Sequence, residues 1–175
     1  MPGSTICLTA LGRERPGIVA SITGVLFDND CNIRDSTMTI LAGEFAMLLI
    51  VELPSSLAPA GLDQALSEVQ RRFDLGIFIK RLTDEEMRYL QPPGTKNWAV
   101  TIYGGDRKGM LHHVASLMAR KGISIAELKT KVLGGMEGAG IISMKVVAPP
   151  EVELSAIREQ LIDVATRFGV EVSIG

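Results

Sequence analysis

The 175-residue sequence predicts an α+β chain made of two copies of one βαββαβ module, and three observations carry that prediction. The chain repeats itself at a fixed offset, each copy orders strand-like and helix-like segments in the same way, and a polar stretch holding Pro92-Pro93-Gly94 separates the copies. Aligning Arg15-Pro16-Gly17 with Arg107-Lys108-Gly109 sets the offset at 92 (107 − 15). Leu26 then meets Met118, Ile33 meets Ile125, Asp35 meets Glu127 and Leu41 meets Leu133. After the glycine-rich stretch Gly134 to Gly140 the offset is expected to grow by about four, as a longer hairpin loop would produce.

Residues 4–12, ended by Gly12, and 97–103, ended by Gly104-Gly105, are β-rich apolar runs and form the first strands. A helix is expected to open at Pro16, whose fixed φ suits a first helical position, with Ile18, Ile22, Val25 and Leu26 on one face. Leu111, Val114, Ala115 and Met118 repeat that face. Ile33 to Leu41, a turn at Gly43-Glu44, and the run Phe45 to Val51 form a hairpin. The unbroken apolar run places Phe45 to Val51 inside the sheet. Ile125 to Leu133 and Ile141 to Val147 are the counterparts, and Pro54 and Pro149-Pro150 take the chain out of each sheet. Leu62, Ala65, Leu66, Val69 and Phe73 mark the second helix, with Leu154, Ile157, Leu161 and Val164 in the other copy. Ile77 to Ile79 and Val170 to Val172 close the units. The order is the ferredoxin-like plan, four antiparallel strands with both helices on one face. The domains are expected at 1–84 and 96–175, joined by a linker at 85–95. Modules of this size bury a modest share of their surface and leave open sheet faces and edges, so a homodimer or paired domains are expected.

Composition narrows the function. Apolar residues make up 46% and aromatics 5%, so the cores rest on Ile, Val, Leu, Met and Ala. Eighteen basic and 20 acidic side chains give a net charge of −2, with no basic stripe for a row of phosphates, so direct nucleic-acid binding is not expected. The longest apolar run is far short of the roughly 20 residues a membrane helix needs, and Met1 to Thr5 lack a secretory pattern. A cytoplasmic protein is expected. Cys7 and Cys31 read as small buried hydrophobes rather than a disulfide or zinc framework.

No catalytic residue, metal site or cofactor is expected. His112 and His113 are neighbours in a helix, about 100° apart around its axis, and cannot chelate one ion together. No nucleophile elbow, Walker loop, H-E-x-x-H or C-x-x-C occurs. Gly138-Ala139-Gly140 lies between two strands rather than opening a helix, and reads as hairpin loop.

What does suggest a site is the turn entering the first helix of each copy, Gly12 to Ile18 and Gly104 to Met110. Glycines let a ligand approach the backbone, helix N–H groups favour a carboxylate, and Glu14-Arg15 or Asp106-Arg107 could receive a zwitterion. The other reading of these residues is that Gly17 and Gly109 allow close helix–sheet packing while the charges sit in water.

The pattern Gly-x-x-Arg-Pro-Gly-Ile-Val at residues 12–19, with Asn32-Ile33 and Gly43-Glu44-Phe45 following, resembles an ACT domain. Two in tandem without a catalytic domain resemble the glycine cleavage system transcriptional repressors; the same modules also accompany phosphoserine phosphatases, formyltetrahydrofolate deformylases and uridylyltransferases. The resemblance spans nearly the whole chain. It implies an amino acid, of the glycine or serine class, held between paired modules by the turn before the first helix and the start of the second strand. Residue by residue, this implicates Glu14, Arg15, Gly17, Ile18, Asn32 and Ile33, and in the second copy Asp106, Arg107, Gly109, Met110, Ser124 and Ile125. Lys108 replaces the family's proline and Ser124 its asparagine, which favours the first copy as the site; Glu14 stands where such tandem regulators usually have aspartate. The implied partner is a regulatory protein such as a transcription activator.

Overall fold

The computed structural model describes residues 4–87, 93–105, 107–133 and 139–175. The chain divides into two compact units, Met1–Tyr89 and Leu90–Gly175. The first runs β1 (Thr5–Arg13), α1 (Ile18–Asp28), β2 (Asn32–Leu41), β3 (Glu44–Glu52), α2 (Pro59–Phe73), β4 (Gly76–Arg81) and a single helical turn, α3 (Asp84–Met87). The second runs β5 (Lys96–Gly105), α4 (Met110–Arg120), β6 (Ser124–Leu133), β7 (Ala139–Ala148), α5 (Leu154–Phe168) and β8 (Glu171–Ile174). Every strand pair is antiparallel, in the orders β2-β3-β1-β4 and β6-β7-β5-β8. This is the ferredoxin-like arrangement that the repeat predicts, with the apolar run of β3 in an inner position.

Register sharpens the repeat. Ala10 pairs with Met47 and Ile102 with Ile142, so the offset in the third strand is 95 (142 − 47), three more than the 92 of the first strand rather than about four. Both second strands break register at the same place, between Ile33 and Asp35 and between Ile125 and Glu127. Residues 134–138 of the expected glycine-rich loop lie outside the described residues, whereas Ala139 and Gly140 already belong to β7.

Strand alternation divides each sheet into a covered and an open side. Ile6, Leu8 and Ala10 on β1 and Phe45, Met47, Leu49 and Val51 on β3 are buried together with Ile18, Ile22 and Leu26 of α1 and Leu62, Leu66, Val69 and Phe73 of α2. At about 1.5–3 kcal/mol for each fully buried large side chain, this one-sided layer is what holds the module. The second core is built likewise, with Trp98, Val100 and Ile102 beneath α4 and α5. On α4 the buried stripe is Met110, Val114, Leu117 and Met118; the predicted Leu111 and Ala115 are only half-buried, because the helix is rotated toward the flanking positions of the same face. Cys7 and Cys31 are also half-buried rather than buried, Cys7 because it alternates onto the open side. Partial burial, with Asp30 adding a smaller push, raises the Cys31 thiol pKa. Gly12 and Gly104 are fixed by contact: a Cβ would come within 2.8 Å of Leu75 Cδ2 at Gly12 and 2.6 Å of Val170 Cγ1 at Gly104. Among the described residues no helix is long and apolar enough to cross a membrane.

The stretch expected as polar linker carries structure at its start. Thr83 Oγ1 accepts the Glu86 N–H at 3.2 Å while Glu86 Oε2 accepts the Thr83 N–H at 2.9 Å, a reciprocal capping box that nucleates α3. Glu86 also pairs with Lys80 of β4. The Lys80 bond and the Thr83 N–H together lower the Glu86 carboxyl from 4.5 to about 2. Because the folded value lies below the ordinary one, the contribution of this exposed pair is complete above pH 4.5 and fades as the pH falls toward 2. A carboxyl-carbon NMR titration is expected to place the Glu86 midpoint near 2, and Thr83→Ala to move it upward. A midpoint near 4.5 would mean that the box does not form in solution.

Candidate functional site

Each module enters its first helix through the same turn, two residues later in the first module than proline preference alone suggests. α1 begins at Ile18, not Pro16, and its N-cap is Gly17 at φ 97, ψ −7. The Ile18 N–H donates to the Arg15 carbonyl at 3.4 Å. Arg15-Pro16-Gly17-Ile18 is therefore a type II β-turn, with proline at the position whose φ it pre-sets and glycine at the position that demands positive φ. In the second module Gly109 has φ 89, ψ −8 and the Met110 N–H donates to the Arg107 carbonyl at 3.1 Å. Lys108 in place of proline therefore leaves the turn intact.

These dihedrals decide between the two readings of Gly17 and Gly109. Close packing does not require glycine there: a Cβ at Gly17 would meet only Phe73 Cζ, at 3.7 Å, and one at Gly109 nothing within 4 Å. Left-handed backbone does. The close-approach role belongs to Gly12 and Gly104 instead.

Around the first turn, Glu14 is half-buried and Arg15 and Gly17 are exposed. No side chain caps α1. Among the described residues neither Glu14 nor Arg15 has an ion pair or side-chain hydrogen bond, so both are open to a ligand. The Glu14 N–H donates to the Gly43 carbonyl at 2.9 Å, tying the turn to the β2–β3 hairpin. That hairpin turns at Ala42 and Gly43, both at positive φ (52° and 83°), rather than at Gly43-Glu44; Glu44 is the first residue of β3. Sequence reading alone does not single out Gly43 as a clamp on the site.

The other implicated residues fall into two groups. Ile18 and Met110 are 1% and 3% exposed, so their side chains serve the cores and only their backbone faces the turn. Asn32 and Ile33 are exposed on β2, but at the far end of the sheet. Asn32 stands opposite Glu52, which pairs with Thr5, while the turn follows Arg13, which pairs with Glu44. The length of β1 lies between them, about 25 Å at ~3.3 Å per residue. One bound amino acid cannot touch Arg15 and Asn32 of the same module. The second module separates Arg107 from Ser124 and Ile125 in the same way, since Ser124 pairs with Val147 at the Asn97 end of β5. Asp106 lies outside the described residues. Arg107 folds back over Gly105, where an added Cβ would lie 3.6 Å from its Nε; the first module has Arg13 at that position.

His112 and His113 are both exposed on α4, His113 standing edge-on to Phe168 at 5.3 Å. Among the described residues no three His, Cys, Asp or Glu side chains gather as a metal site.

Two βαββαβ modules with one glycine turn at the head of each first helix define a tandem α+β protein of the ferredoxin-like plan. A family profile described as the ACT domain matches residues 4–80. A UPF0237 protein of Methanopyrus kandleri is 39% identical over 64 residues, which cover 37% of this chain and 69% of that protein. The glycine cleavage system transcriptional repressor of Escherichia coli is 29% identical over 126 residues, 72% of this chain; the match spans 64% of the repressor, just under two thirds of its length. A crystal structure of a Galdieria sulphuraria protein of unknown role superimposes with a TM-score of 0.84 at 24% identity, covering 98% of this chain and 96% of that one, which shows the shared fold. The chain belongs with the UPF0237 proteins, its first module is an ACT domain, and it is related to the glycine cleavage system transcriptional repressor.

The turn geometry makes opposite demands at its two central positions. Gly109→Ala forces an L side chain to positive φ and is expected to cost about 1–2 kcal/mol. Lys108→Pro fits the turn, where the Lys108 N–H makes no backbone hydrogen bond among the described residues, and is expected to stabilise by about 0.4–1 kcal/mol. Urea unfolding of the two variants checks both signs.

Proposed function

We propose that the chain is a non-catalytic regulatory protein that senses a small amino acid of the glycine or serine class and acts through contact with another protein. One observation carries this reading. Arg15, unpaired among the described residues, stands on a rigid exposed turn beside an uncapped helix end, while Asn32, the amide suited to both ends of a zwitterion, lies at the opposite end of its sheet. A complete site therefore takes Glu14, Arg15 and Gly17 from one module and Asn32 and Ile33 from another, and ligand binding is coupled to how modules pair. Such a ligand shifts the balance between paired arrangements by the difference in its affinity for them.

The second module keeps the turn through Arg107 and Gly109 but has Ser124 where the first has Asn32, and is the weaker site. The related repressor's name supports a regulatory target in transcription of amino-acid metabolism genes, reached through a protein such as a transcription activator. The net charge of −2 and the lack of a basic stripe argue against direct contact with DNA. The second reading, a ligand-free module that assembles with a partner protein or enzyme subunit, rests on the apolar open side of the first sheet, where Phe78 is 67% exposed.

A thermal-shift scan against the twenty amino acids at millimolar concentration separates the two. A ligand at about 100 times its Kd adds roughly 2.7 kcal/mol, a rise of several degrees. The expected outcome is stabilisation by one or two small amino acids, lost in both Arg15→Ala and Asn32→Ala. A flat response across the panel would favour the assembly module, and turnover of any amino acid by the purified protein would refute the non-catalytic reading.

A further inference from the structure

The two modules finish the fourth-strand edge of their sheets differently. β4 and β8 are outermost strands, each paired on one side only. In the first module the Leu82 N–H donates to the Thr5 carbonyl at 2.9 Å. The antiparallel alternation then turns the backbone groups of Lys80 and Phe78 toward β1 and those of Ile77 and Ile79 outward. In the second module Gly175 and Ala99 exchange both backbone bonds, at 2.7 and 3.1 Å, so Ile174 faces outward in the same way. There the edge is closed from within: Arg158 of α5 donates to the Ile174 carbonyl at 3.1 Å. Ile79 is the counterpart of Ile174 (174 − 79 = 95), and Asp63 of α2 is the counterpart of Arg158 (158 − 63 = 95). Where the second module has an arginine bonded to its own edge strand, the first has a carboxylate.

That exchange leaves a cleft of defined chemistry. About 380 Å³ lies open between the start of α2 and the edge of β4, lined by Pro59, Ala60, Asp63, Ile77, Phe78 and Ile79. Among the described residues Asp63 has no ion pair and takes only a long bond from Gln70, at 3.5 Å, and no side chain donates to the Ile79 carbonyl. We propose that this edge docks an extended segment of another protein that carries an arginine. The segment's backbone bonds to Ile77, and its guanidinium sits between the Asp63 carboxylate and the Ile79 carbonyl. Three features select that occupant. The second module shows a guanidinium bonded to the corresponding carbonyl. The planar fork of arginine has donors for a carboxylate and a carbonyl together, while its methylene stem suits the apolar wall of Pro59, Ala60 and Ile77. An edge strand whose N–H and C=O groups point to solvent pairs with extended backbone, and a pocket beside it sets specificity. The proposal rests on the reading that the chain acts through contact with another protein, and it names the contact. β4 and β2 are opposite margins of the sheet, and none of Glu14, Arg15, Gly17 or Asn32 takes part, so amino-acid sensing and peptide docking fail separately.

Amide hydrogen exchange of the isotope-labelled full chain, read by NMR, tests this with a short capped peptide of valine and threonine around a central arginine, at millimolar concentration. The outward Ile77 amide is expected to exchange quickly in the protein alone and to be protected by the peptide, with shift changes confined to α2 and β4. Replacing the peptide's arginine by glutamate is expected to abolish the effect. Asp63→Asn is expected to weaken binding about fivefold, the share of an exposed charge pair. Asp63→Arg installs the second module's residue and with it a self-closed edge, and is expected to abolish binding with the fold intact. An unprotected Ile77 amide, equal binding of the glutamate peptide, or a folded Asp63→Arg that still binds overturns the proposal. Equal binding of free arginine would put a small guanidino compound in the cleft, and protection that grows with protein concentration alone would put a second copy there; either result also overturns it. Should Asp63→Arg fail to fold, the two peptides and Asp63→Asn decide.

Discussion

In each module two inner strands bury one side and only one side. Ile6, Leu8, Phe45, Leu49 and Val51 are fully enclosed by α1 and α2, and the alternation that places them there puts Cys7, Thr9, Leu48 and Ile50 on the other side of the sheet. The remaining features of the module are consequences. With both helices on one side, the chain must leave β1 and turn back over the sheet within four residues, and a type II turn with a left-handed glycine does so. With β2 at the margin of the sheet, its residues are exposed along their whole length, including Ile33, Met38 and Ile40, which pair with the buried side of β3. A strand with both sides uncovered and one backbone edge unpaired is an unfinished surface, and it bears Asn32.

This geometry explains why the candidate site cannot be closed within a module. Strand length fixes the separation of Arg15 from Asn32, and no side-chain rotation bridges it. On the proposed reading, a ligand held by residues of two copies of the first module reports on their pairing. The Gly43 carbonyl, which takes the Glu14 N–H, makes the hairpin at the Leu41 end of β2 part of the same corner. Arg15 is therefore presented from a fixed backbone rather than a floppy loop, which lowers the ordering cost of binding.

Much of this was legible in the sequence, and the gaps have physical causes. The repeat, the inner place of the Phe45 to Val51 strand and the helical stripes followed from the apolar pattern, which records burial directly. Pro16 drew the helix start two residues too early because a proline suits both the first helical position and the second position of a type II turn; the following glycine resolves the choice only once its dihedral is known. The α3 capping box was read as linker because Thr83 to Glu86 has no apolar stripe, its order coming from local hydrogen bonds instead. The separation of Arg15 and Asn32 was hidden for a different reason. They are close in the motif and share a module, and only strand register reveals that they stand at opposite ends of one sheet.

Duplication gives the two modules the same starting faces, so their differences record what each face has since been required to do. The covered sides stayed apolar in both, as folding demands. On the open sides Leu48, Ile50 and Phe78 have Ser143, Lys145 and Ser173 as counterparts, a change that costs the second fold nothing because no core contact is involved. A solvent-facing sheet gains solubility from such residues, and the first module forgoes that gain at three neighbouring positions. The β2 edge with its turn and the open side of the sheet are thus separate exposed regions of the first module, one polar at Asn32 and Arg15, the other apolar at Leu48 and Phe78.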